Sequence, residues 1–158
     1  MAPEKRTLAF ENLDEVLDDA RTLLAEGYRT SGKWNLSQVC QHLDDWMRFP
    51  MDGYPTAPAP IRVMLWLMKS TVGRRQLRSI LSSGFRNSTP TMPQTVHEAD
   101  TLSDADAVDQ LAATIERFKQ HNGPLVESPV FGHTTPDEAL KLQLRHCEHH
   151  LSFLSPTD

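Results

Sequence analysis

Four times along this chain a helix-opening signal is followed by apolar residues at spacings of three and four. The signals are Asn12-Leu13-Asp14-Glu15, Asn35-Leu36-Ser37-Gln38, Ser103-Asp104-Ala105-Asp106 and Thr135-Pro136-Asp137-Glu138. Each sets a side-chain oxygen where it can accept an otherwise unpaired N–H of the first turn, with an acid or amide two or three residues on. Thr135 adds a proline at the first helical position, where the missing N–H costs nothing. No stretch shows the period-two alternation of a half-buried strand. The expected fold is therefore all-α: a four-helix bundle with long crossover loops and one extra helical segment, in one domain over residues 1–158.

The apolar periodicity places the elements. Leu13, Val16, Leu17, Ala20, Leu23 and Leu24 give the first helix, ended by Gly27. Tyr28 to Lys33 reads as a short polar connection. Leu36, Val39, Leu43 and Trp46 mark the second helix, expected to stop at Pro50 because proline lacks the donor that continues a helix. Residues 50–60, with four prolines, read as an irregular crossover. The extra segment spans Ile61 to Leu81, first strongly apolar and then basic, with Gly73 loosening its middle. A long loop, 82–100, leads to the fourth helix, whose stripe is Val108, Leu111, Ala112, Ile115 and Phe118. Another loop carries Phe131-Gly132-His133 into the last helix.

The composition is 39% hydrophobic and 23% charged, ordinary for a soluble globular chain. A net charge of −5 provides no basic stripe for phosphates, which speaks against a nucleic-acid partner. The local cluster Lys69, Arg74, Arg75 and Arg78 reads as a solvated face or as a site for an anionic substrate group. The N-terminal residues are polar and lead into no apolar run of signal-peptide type, and Ile61 to Met68 is too short to span a bilayer. A cytoplasmic setting without membrane contact is expected. Two cysteines, Cys40 and Cys147, are too few for a disulfide framework and read as reduced.

Chemistry concentrates in Arg145-His146-Cys147-Glu148-His149-His150-Leu151. His146 and His150 are spaced i, i+4, so their rings stand on one helix face and can turn toward one point. The best third partner is His42, beside the apolar stripe of the second helix. Three neutral imidazoles make a metal site with a position left open, suited to zinc, nickel or a similar ion. His149 is an alternative to His150 at i, i+3 from His146, or a neighbour of the site. Gln38 and Asp45 flank His42 at i−4 and i+3 and are candidates to orient a ligand imidazole or the nucleophile. Trp46, Phe131 and His133 are candidates to shape the pocket. His97 and His121 lie in or beside polar loops and read as surface residues.

Trp34-Asn35-Leu36-Ser37-Gln38 with His42-Leu43 resembles the start of the second helix in the DinB/YfiT-like superfamily. His146-Cys147-Glu148-His149-His150 resembles that superfamily's late His-x-x-x-His helix. The similarity runs through the helix order of essentially the whole chain. It looks closest to a branch of uncharacterised bacterial proteins that carry Phe-Gly-His or Phe-Gly-Met before the last helix and His-His-Leu-x-Phe in it. The resemblance implies a divalent ion, zinc or nickel, held by His42, His146 and His150, with a water or a low-molecular-weight thiol activated there. One departure stands out: Leu151-Ser152-Phe153 replaces the Arg-Gly-Gln that many relatives place after the second late histidine.

Two functions follow as expectations. One is a metal-dependent enzyme, a hydrolase or thiol-dependent transferase acting on a small molecule. The other is a non-catalytic bundle for dimerisation or small-molecule binding, with a vestigial or structural histidine cluster. In the second, the apolar segment with Trp66 and its methionines would supply the surface of a homodimer.

Overall fold

The computed structural model describes residues 4–87 and 89–157. Its helices are α1 (Leu13–Glu26), α2 (Leu36–Asp52), α3 (Ala59–Met68), α4 (Arg74–Ser83), α5 (Asp104–Gln120) and α6 (Pro136–Leu151). Among the described residues the fold is all-α apart from one small antiparallel pair, β1 (Tyr28–Thr30) with β2 (Leu154–Pro156). α1, α2, α5 and α6 form the bundle, and α2 and α5 make its closest packing. The core is built from the stripes of these four helices, among them Val16, Leu23, Leu36, Leu43, Leu111, Ile115, Leu144 and Leu151.

The four opening signals act as local chemistry dictates. The side chains of Asn12, Asn35, Ser103 and Thr135 each accept the N–H three residues on. Gln38 and Glu138 close reciprocal boxes on α2 and α6. Glu15 differs: its carboxylate takes the N–H of Glu11 instead of Asn12, at 2.8 Å. The start of α2 is also tied to the start of α5. Asp104 accepts the Ser37 N–H at 2.8 Å and the Tyr28 hydroxyl at 2.9 Å. The last turn of α6 is tied to the N-terminal segment, where Arg6 donates to the Leu151 carbonyl at 3.0 Å and to Asp19 at 2.7 Å.

Two expectations need correction. The connection after Gly27 is a strand, because Tyr28–Thr30 pairs with the residues that follow α6. α2 does not stop at Pro50 but runs on to Asp52, with Gly53 as its cap. The carbonyl that Pro50 cannot serve, that of Trp46, accepts Gln143 Nε2 of α6 at 3.1 Å. The extra segment is one rod, as expected: α3 and α4 are joined by a wider π turn over Lys69–Gly73. Gly73 is there for closeness, since a Cβ on it would lie 2.3 Å from the Val130 carbonyl oxygen.

Candidate metal centre

Gln143, His146 and His150 recur at i, i+3, i+7 and make one stripe of α6. It runs against α2 in the opposite sense. Gln143 meets Trp46; His146 meets Trp46 and His42; His150 meets His42 and Trp34. Helical spacing on one side and antiparallel packing on the other thus bring three imidazoles together. One ring nitrogen from each of His42, His146 and His150 lies within 4.8 Å of the other two. His42 Nε2 and His146 Nε2 are 3.1 Å apart. His42 and His146 are 2% and 8% exposed, which rules out reading them as solvated surface histidines.

The tautomer of His42 follows from its other nitrogen. Nδ1 lies 3.0 Å from the carbonyl oxygen of Thr95. A carbonyl only accepts, so Nδ1 carries the proton and donates. In the neutral ring Nε2 is then a bare lone pair aimed at the other imidazoles. Neutrality is enforced by burial. Desolvation pulls the His42 pKa down to about 4, partly offset by the Thr95 hydrogen bond. Burial, reinforced by His42 and the other histidines, pulls His150 to about 2 and His146 well below the ordinary imidazole value. The donor set is therefore three uncharged nitrogens, one with its lone pair committed inward. Such a set could hold a metal ion.

An aromatic collar holds the rings. The Trp34 indole stacks on His150 at 5.3 Å with only 13° between planes. Trp46 stands edge-on to His146 at 5.7 Å, and Phe85 lies 5.2 Å from it on another side. Trp34 precedes the first helical residue of α2, and Phe85 follows α4. Neither carries a periodic signal that would mark it as a wall of the site.

The remaining candidates are distributed differently from expectation. Gln38 spends its side chain on the α2 cap and on the His97 carbonyl, at 3.0 and 2.8 Å. Asp45 accepts from His97 Nε2 at 2.6 Å and from Arg48 at 2.6 Å. Neither bonds the His42 ring, because Thr95 already occupies Nδ1. Their effect is indirect: both hold His97, and so the segment that carries Thr95. His97, read as a surface residue, is therefore part of the support. His149 stands outside the triad, edge-on to Phe153 and tilted on Phe85, with burial drawing its pKa to about 4. His133 is not a wall. Its side chain is 84% exposed and faces Glu127 at 3.6 Å. Phe131 sits in a small hairpin closed by Ser128 and Gly132. Cys40 and Cys147 are buried free thiols within the hydrophobic core, pushed to weak acidity by desolvation.

Two cations of the basic cluster are already committed to carboxylates: Lys69 to Glu127 and Arg74 to Glu138, each at 2.9 Å. Among the described residues no helix is long and apolar enough to cross a membrane.

No curated protein and no solved structure matches the chain. The sequence profile of one family does match, over residues 2–157. This protein belongs to that family, DUF1569, whose members are described as proteins of unknown function.

Proposed function

We propose that this chain is a divalent-metal-dependent enzyme of the hydrolase or thiol-dependent transferase type, with His42, His146 and His150 as the metal ligands. The observation that carries the reading is the bare Nε2 of His42, fixed by the Thr95 carbonyl on its far side and pointed at two further imidazoles. A ligand histidine held by a backbone carbonyl through its other nitrogen is a recurrent device for fixing ring orientation and basicity. When bound, a zinc or nickel ion would polarise a water or a small thiol toward its anion near neutral pH.

The protein's own part is positioning and dryness. Trp34, Trp46 and Phe85 keep the imidazoles from turning outward. The Asp45–His97 pair and Gln38 hold the segment that presents the Thr95 carbonyl. The motifs around Trp34 to Leu43 and His146 to His150 support a distant relation to the DinB/YfiT-like superfamily. They also support a low-molecular-weight thiol as the second reactant in the transferase form.

The test is metal stoichiometry in protein purified without a histidine tag. Wild type soaked in Zn²⁺ or Ni²⁺ and desalted should retain about one ion per chain, the occupancy of a single three-ligand site. His42→Ala should retain none, while His149→Ala should retain the full complement. Full loading of His42→Ala would overturn the ligand assignment. An empty wild type after soaking would favour a non-catalytic bundle in which His146 Nε2 simply donates to His42.

A further inference from the structure

α3 is a helix with apolar residues nearly all round: Ile61, Val63, Met64, Leu65, Trp66, Leu67 and Met68, with Arg62 its one charge. None of its residues is buried. Ile61, Val63, Met64, Trp66 and Leu67 are 44–59% exposed, and Val72 of the π turn adds to them at 44%. A helix apolar on every side belongs in an interior, and monomeric proteins do not ordinarily expose so large a continuous patch.

The chemistry of the patch selects its occupant. A helix that lies on a lipid surface needs a polar face opposite its apolar one, and α3 has none. At ten residues it is also too short to cross a bilayer. What it has is the composition of a protein interface core: tryptophan, methionine and arginine, without acids. Between Asp52 and Glu98 the chain carries five arginines, one lysine and not one carboxylate, so all 21 acidic residues lie elsewhere. Arg62, Arg75 and Arg78 are exposed, and no carboxylate of the described residues forms a salt bridge with them. In a twofold contact these guanidinium groups stay at the solvated rim, where water and counter-ions screen like charges.

Area points the same way. Six apolar side chains at about half exposure present on the order of 600 Å², most of the roughly 800 Å² per partner of a standard interface. The flanking arginines supply a polar rim. We propose that the α3 face, together with the π turn and the exposed side of α4, is a homodimer interface, with the two α3 helices packed against each other about a twofold axis. A twofold contact closes on itself and needs no second patch. This interface lies apart from the histidine site and does not depend on metal binding there.

The experiment is light scattering on the eluting full-length chain through the micromolar range, with Trp66→Glu/Leu67→Glu beside wild type. Both positions are exposed in the single chain, so the variant should keep its helical circular dichroism. The expected result is twice the chain mass for wild type and the single-chain mass for the variant. Zinc stoichiometry should be unchanged in both. A monomeric wild type would overturn the proposal, as would a variant that remains dimeric. A monomeric wild type that sediments with phosphatidylglycerol vesicles would make the face a lipid-binding one and would equally overturn it.

Discussion

Gln143 Nε2 donates to the carbonyl oxygen of Trp46 across 3.1 Å, filling the place of the N–H that Pro50 lacks. The bond is an unusual splice, in which one helix completes the hydrogen-bond ladder of another. It also sets register, because Gln143 is one turn ahead of His146 and Trp46 is one turn beyond His42. Replacing Gln143 by leucine should strand a buried acceptor and cost about 1–3 kcal/mol. In a Pro50→Ala background the helix can serve its own carbonyl, so the same replacement should cost much less. Urea midpoints of the four proteins in this cycle give the coupling. Equal costs in both backgrounds would mean that Gln143 does not substitute for the missing donor.

Gly73 supports a prediction of reversed sign. Its φ of −53° is ordinary helix, so alanine there carries no conformational penalty. In an open helical position Gly→Ala stabilises by about 1 kcal/mol. Here the new Cβ would lie 2.3 Å from the Val130 carbonyl oxygen, a backbone atom that cannot swing aside. Gly73→Ala should therefore destabilise, by roughly 1–3 kcal/mol, as read by thermal or urea unfolding. A stabilised variant would show that the hairpin around Phe131 yields freely.

These two residues also mark what could be read from the sequence. Helix starts were legible because capping is local: Asn35 needs only Gln38, three residues away, to announce α2. The end of α2 was not, because the relief for Pro50 comes from Gln143, on another helix. Likewise β1 pairs with residues some 126 positions later in the chain, through three residues a side, too short to alternate. In the site, His42, His146 and His150 were legible from spacing and motif. Thr95 was not, since it acts through its backbone and any residue has a carbonyl. His97 looked like a loop histidine until Asp45 of α2 was seen to accept its Nε2–H.

The stacking of Trp34 on His150 predicts a role in metal affinity. His150 is the least buried of the three candidate ligands, and the indole covers one of its faces. Trp34→Ala should free the ring to rotate and weaken zinc binding about 10–100-fold, the usual effect of losing a group that orients a ligand. Trp34→Phe should recover much of the loss. Competition with a chromophoric chelator measures both. Unchanged affinity in Trp34→Ala would assign the indole to packing alone.

The depressed imidazoles make the metal-free protein sensitive to acid. In the unfolded chain these histidines take up protons near pH 6.5, whereas in the fold burial holds His42 and His149 at about 4 and His150 at about 2. Below pH 6.5 the unfolded state thus binds more protons, and stability falls as pH falls. The contribution is fully present above pH 6.5 and is lost progressively toward pH 4, where His42 and His149 begin to protonate in the fold. His42 alone should account for something of the order of 3 kcal/mol across that window. Urea midpoints of the apo protein should accordingly drop steeply between pH 6.5 and 4. His42→Gln, which cannot titrate, should show a shallower slope whatever its stability at pH 7. A wild-type profile that is flat through this range would mean that the rings are hydrated, and hence that the collar of Trp34, Trp46 and Phe85 does not keep water from them.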